Sequence, residues 1–159
     1  MIKIMGHKFM IRHSKENGPI ENLIFITLPD DPFFYAGGEE EFNKAKNRLM
    51  LQFDDIEYEI TNCVAPTKEH VQQALDFSEG KDDIIVSCNA GISRSAATAF
   101  LIACKKYGMD KAFEILNPKL HCPNALIIRH GSEILNIPDL PDKMNAWNME
   151  SMPDTTDLF

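Results

Sequence analysis

Residues 87–95 read SCNAGISRS, directly after the apolar run IIV and directly before AATAFLIAC. By itself a cysteine followed six positions later by an arginine is weak, since four Cys and four Arg in 159 positions give roughly 0.1 matches by chance. The context carries the chemistry. A loop running from a buried strand into a helix N-terminus, built from Gly91 and small residues, turns consecutive backbone N–H groups toward one centre. Such a cradle, aided by the helix dipole, binds a phosphate-like dianion. Cys88 opens the loop, so its sulfur lies in that positive field, which favours thiolate over thiol. Arg94 closes it with a planar guanidinium that holds two oxygens at once, where a lysine would act as a point charge. These residue types describe a nucleophile, Cys88, beneath a phosphoryl group held by Asn89, Ala90, Gly91, Ile92, Ser93 and Arg94.

The elements needed to position that loop are legible on both sides of it. DIIVSC is a fully apolar run, the mark of a strand buried on both faces of a parallel sheet. Residues 93–107 are apolar almost all round, which predicts a central, buried helix. Upstream, HKFMIRH and NLIFITLP read as strands, and PDDPFFYAGGEEEF reads as a turn-rich loop leading into a short helix near 39–46. RLMLQF (48–53) alternates with the period of a strand. Val71, Ala74, Leu75 and Ser78 make one face of a crossover helix, with Pro66 suiting its first position and Gly80 its exit. Two shorter helices follow, one from Asp110 to before Pro118 and one capped near Asn124. Alternation of short apolar segments with helical patterns predicts an α/β fold, a central, mostly parallel sheet flanked by helices. From Ile137 the composition turns to Pro and Asp without a period. This divides the chain into a domain of residues 1–137 and an acidic, Pro-rich tail, 138–159, expected to be flexible or irregular.

Composition narrows the function. With 44% hydrophobic residues in 159, the chain can bury one domain core without staples. Its four cysteines show no CxxC, and MIKIMGHKFMIRH lacks the apolar core of a signal peptide, so a reduced, cytoplasmic protein is expected. No apolar run approaches a membrane span. The net charge of −8 opposes binding to nucleic acid or to an anionic membrane surface.

The whole run QFDDIEY…EHVQQALDF…IIVSCNAGISRSAATAFLIAC resembles the cysteine-dependent protein tyrosine phosphatase superfamily, in its dual-specificity branch, and within that branch the bacterial predicted protein tyrosine phosphatases. The resemblance covers roughly residues 22–135. Arsenate reductases and low-molecular-weight phosphatases share the loop spacing, but in those families the loop follows the first strand, whereas here it follows the last. The resemblance implies a phosphotyrosine-phosphatase-like fold and a phosphomonoester hydrolase working without cofactor or metal on a phosphorylated protein or small phosphomonoester. It implies a phosphocysteine on Cys88, with Arg94 and the amides of 89–94 stabilising the transferring group. Ser95 would donate a hydrogen bond to the sulfur. A general acid is implied about thirty residues before the cysteine, and FDDI offers Asp54 and Asp55. Asp55, 33 positions upstream of Cys88, is favoured because family members with paired aspartates tend to use the second.

One position departs from the pattern. The family usually places His directly before the cysteine, where it orders the loop, and this chain has Ser87. A catalytically weak phosphate-binding module is the alternative that this departure motivates. The loop interior holds no lysine, so a polyphosphorylated inositide fits less well than a monophosphate ester. Cys104 reads as a packed core thiol. Cys63 is a candidate disulfide partner for Cys88 under oxidation. His121, Cys122 and His130 lack metal-ligand spacing, and Lys46, Asn47 and Arg48 read as solvated charges at a helix end.

Overall fold

All four strands of the sheet run in one direction, which collects their C-terminal ends, and the loops that follow them, along a single edge. The computed structural model describes residues 1–33 and 37–151. In chain order these form β1 (Ile2–Gly6), α1 (His7–Asn17), β2 (Asn22–Thr27), α2 (Glu39–Lys44), β3 (Asn47–Gln52) and α3 (Lys68–Ser78). They continue with β4 (Ile84–Cys88), α4 (Arg94–Tyr107), α5 (Met109–Glu114), α6 (Ala125–Ile134) and α7 (Leu140–Ser151). The strand order is β1-β4-β2-β3, and every pairing is parallel. The sheet is thus the helix-flanked α/β sheet expected from the alternation of elements.

The order explains the apolar patterns. β4 lies between β1 and β2 with helices over both faces, and all five of its residues are buried. β2, equally enclosed, is buried throughout. β3 is an edge strand and keeps only Leu51 fully inside, which is why its sequence alternates. On one face α4 packs with α3, α5 and α6 around Phe100, Leu101 and Ile102. On the other, α1 covers a smaller cluster of Met5, Met10, Leu23 and Phe25.

Three expectations need correction. HKFMIRH is not a strand. The first strand is IKIMG, and residues 7–17 are α1, whose buried residues His7, Met10 and Ser14 fall at spacings of three and four. Gly6 and Gly18 bracket it, the second donating its N–H to the Ser14 carbonyl at 2.9 Å. Pro66 lies outside its helix. Thr67 is the N-cap and forms a reciprocal capping box with His70, Thr67 Oγ1 accepting from the His70 amide and His70 Nδ1 accepting from the Thr67 amide at 3.1 Å. The tail reading of 138–159 also fails over its first part, because Leu140–Ser151 is helical. Leu140 and Met144 are buried in the main cluster, and Trp147 lies against it, 6.3 Å from Phe113 between ring centroids. Prolines in a first turn lose no helical hydrogen bond, so Pro141 starts this helix rather than breaking it. Residues 152–159, and Phe34, Tyr35 and Ala36 of the turn-rich loop, lie outside the described residues.

α6 approaches α4 closely because of Gly131. A Cβ there would run into both Leu101 methyls and lie 2.8 Å from Leu101 Cγ. Leu101 is 1% exposed and has no room to swing away. Gly131→Ala should therefore destabilise the fold by about 1–3 kcal/mol, the usual cost of overpacking, although alanine favours helix. A melting temperature unchanged or raised in that variant would contradict this packing.

Candidate active site

Cys88 is the last residue of β4 and is 2% exposed. Arg94 and Ser95 open α4, so the five residues between must turn the chain from a central strand into a central helix. Gly91 allows that turn. It has φ +71°, and a side chain there would collide with the Gly6 amide and lie 2.7 Å from the Met5 carbonyl carbon. The loop thus rests directly on the end of β1.

Three carbonyls of the loop are tied to other segments. The His7 amide donates to Asn89 O at 3.2 Å, the Cys122 amide to Ile92 O at 3.0 Å, and the Asn124 amide to Ser93 O at 3.2 Å. None of the amides from Asn89 to Arg94 has a protein acceptor among the described residues. Carbonyls held out and amides left over are the two halves of an anion nest. Arg94, 8% exposed, donates from Nη1 to Phe53 O at 2.9 Å, while its buried Nε has no partner. An unpartnered buried guanidinium N–H is costly unless an anion takes it. Cys88 Sγ and Ser95 Oγ lie 3.0 Å apart.

The two aspartates separate cleanly. Asp54 is held by its own loop, its Oδ2 accepting from the Val64 amide at 2.7 Å and its amide donating to Val64 O at 2.8 Å. Asp55 reaches across to the anion loop. Its Oδ1 accepts from Ser93 Oγ and from Asn124 Nδ2, each at 2.9 Å. Oδ2 takes no hydrogen bond among the described residues. Phe53, just before this pair, supplies the carbonyl that orients Arg94, so the end of β3 sets both groups.

Two residues of the site escaped the sequence. Asn124 was legible as a helix cap, its Oδ1 accepting from the Ile127 amide at 3.0 Å. Its Nδ2 also donates to Asp55 and to Ile56 O at 3.1 Å, and its backbone holds Ser93. Nothing in the sequence links a cap to an aspartate 69 positions away. His7 was hidden by the strand misreading. It is 3% exposed, its Nε2 donates to Ile26 O at 3.0 Å, and its ring stacks on Phe25 at 4.0 Å and 12°.

Other candidates fall elsewhere. Cys63 is exposed and lines a groove with Tyr58, Val64, Arg129 and His130, in which no residue of the anion loop takes part. Cys104 is a core thiol that burial pushes up to about 12. His121 Nδ1 accepts from the Asn117 amide at 2.8 Å, and His130 Nε2 donates to Pro66 O at 3.0 Å, so both rings have local structural partners. Lys46 pairs with Glu21 at 2.7 Å on the surface, and Arg48 Nη1 caps α2 through Asn43 O at 2.8 Å. Beside the anion loop, the exposed side chains Phe9 and Leu120 line, with Lys8, Asn89, Ala90 and Gly91, a groove of about 630 Å³.

No protein-family model and no curated protein sequence matches the chain. Solved structures do. The human tyrosine phosphatase-like serine/threonine/tyrosine-interacting protein aligns over 86% of this chain and 91% of its own, with a TM-score of 0.63 at 20% identity. PTPMT1 in complex with PI(5)P aligns over 92% and 93%, with a TM-score of 0.57 at 16% identity. The Yvh1 phosphatase domain from Chaetomium thermophilum aligns over 86% and 89%, with a TM-score of 0.55 at 18% identity. The chain has the fold of the tyrosine and dual-specificity phosphatase-like proteins.

His7 gives the site a pH signature. Burial pushes its pKa down from 6.5 to about 4; the Ile26 carbonyl opposes this, the Arg94 cation lowers it further, and the Ser87 carbonyl raises it. The unfolded chain then binds a proton between these values that the folded chain refuses. Stability should be full above pH 6.5 and fall by roughly 3 kcal/mol as the pH drops toward about 4. Urea unfolding across that window should show a shallower loss in His7→Phe, and identical slopes in the two proteins would contradict the assignment.

Proposed function

We propose that the protein hydrolyses phosphomonoesters through a phosphocysteine on Cys88, in the manner of tyrosine and dual-specificity phosphatases. The observation that supports this most is the buried, unpartnered Nε of Arg94, in a loop that begins at Cys88 and whose amides from Asn89 to Arg94 have no protein acceptor among the described residues. Arg94 Nε is the buried member of this set, and a buried donor without an acceptor is costly unless a ligand takes it.

In the first step Cys88 Sγ attacks phosphorus in line with the leaving oxygen. The loop amides and Arg94 hold the equatorial oxygens, since positioning and electrostatics supply most of the catalysis in phosphoryl transfer. Asp55, protonated on Oδ2, gives its proton to the departing alcohol. In the second step the same carboxylate takes a proton from water as it attacks the phosphocysteine. Ser95 donates to the sulfur from 3.0 Å, which stabilises the thiolate as phosphate leaves. The PTPMT1 structure holds PI(5)P, so a phosphoinositide belongs beside phosphotyrosine peptides among the substrates to assay.

Cys88→Ser should abolish turnover of an aryl phosphate and still bind tungstate, because the amide cradle and Arg94 remain. Asp55→Asn should lower kcat/KM, which reports the first step, by about 10² to 10⁴ fold for esters with poor leaving groups and far less for esters with good ones. Asp54→Asn should show no such selectivity. Wild-type protein that binds tungstate but hydrolyses no monoester would instead mark a phosphate-binding module.

A further inference from the structure

Position 87 lacks the imidazole expected before the cysteine, and the strand register shows what fills its place. Ser87 is paired with Met5 on one side and Phe25 on the other. Residues opposite one another in a sheet project to the same face, and Met5 and Phe25 both belong to the cluster beneath α1. The Ser87 side chain therefore points to that face too. There it is fully buried, and its hydroxyl has no hydrogen-bond partner. The ring of His7 lies on the same face, stacked on Phe25.

We propose that His7 is the positioning residue of the anion loop, its imidazole entering from the end of β1 to occupy the ground that a histidine at position 87 would otherwise hold. The residue makes two ties. Its ring N–H is fixed on the Ile26 carbonyl at the end of β2, and its backbone N–H holds Asn89 O, the first carbonyl of the loop. A single residue thus locks the loop's first peptide to the strand on the far side of β4. A carbonyl only accepts, so Nε2 carries the proton in this tautomer. The depressed pKa of the ring keeps it neutral at working pH, where it adds no charge beside Arg94. Ser87 is small because the space above it is taken. The two positions should then be exchangeable.

This rests on the loop being an anion site, so tungstate affinity, which requires no turnover, is measured beside the kinetics of aryl phosphate hydrolysis. His7→Phe keeps the stacked ring and loses the N–H. It should weaken tungstate binding and lower kcat by about tenfold, at a melting temperature within a few degrees of wild type. Ser87→His alone should be overpacked against the resident ring and melt lower. The double variant His7→Ala with Ser87→His should recover tungstate affinity and turnover to within a few fold of wild type, where His7→Ala alone does not. Wild-type tungstate affinity in His7→Phe, or a double variant no better than His7→Ala, would overturn the proposal. Absence of turnover in wild-type protein would count against the hydrolase reading and leave the binding comparison to decide on His7.

Discussion

The site depends on one arrangement of the backbone: three carbonyls of the loop after β4, those of Asn89, Ile92 and Ser93, are taken by amides from elsewhere in the chain. A peptide unit with its carbonyl pinned to another segment has its N–H turned the other way, so these bonds preset the directions of the loop amides. Preorganised donors need no rearrangement as charge develops in a transition state, and that is the main source of their catalytic value. The donors to the carbonyls come from the start of α1 and from the segment entering α6. The nest is therefore a property of the whole fold rather than of the nine-residue motif.

A parallel sheet makes this convergence possible. The ends of β1, β2, β3 and β4 lie along one edge, and each delivers something to the site: His7 after β1, the Ile26 carbonyl in β2, Phe53 and Asp55 after β3, and Cys88 at the end of β4. Active sites of open α/β sheets commonly form at the carboxyl ends of their strands. Here the close approach of Gly91 to Gly6 brings the loop down onto β1, and Asn124 ties the loop after β3 to the loop after β4 from a third direction.

Much of this was legible in the sequence. β4 and α4 announce themselves by apolar runs that only a doubly covered strand and an enclosed helix require. The motif between them places Cys88 and Arg94 at the two ends of one short loop, where the structure also has them. The resemblance favours Asp55 over Asp54, whereas the difference in their surroundings, the hydrogen bonds from Ser93 and Asn124 to Asp55, is tertiary. His7 and Asn124 were out of reach for the same reason. Each looks like an ordinary helix-end residue until the fold brings it to the loop. The tail was misread because Pro141 and the aspartates around it suit a helix start as well as irregular chain, and only Leu140, Met144 and Trp147, spaced by four and three, spoke for a buried face.

The central claim is that the nest at Asn89 to Arg94 exists to hold a phosphoryl group on Cys88. Acid quenching of the wild-type protein during turnover of an aryl phosphate, followed by mass spectrometry of the peptide spanning the loop, tests it most directly. The account predicts a phosphate on Cys88, enriched in Asp55→Asn because water is no longer activated to remove it. Steady hydrolysis with Cys88 unmodified, or phosphate on another residue, would contradict it.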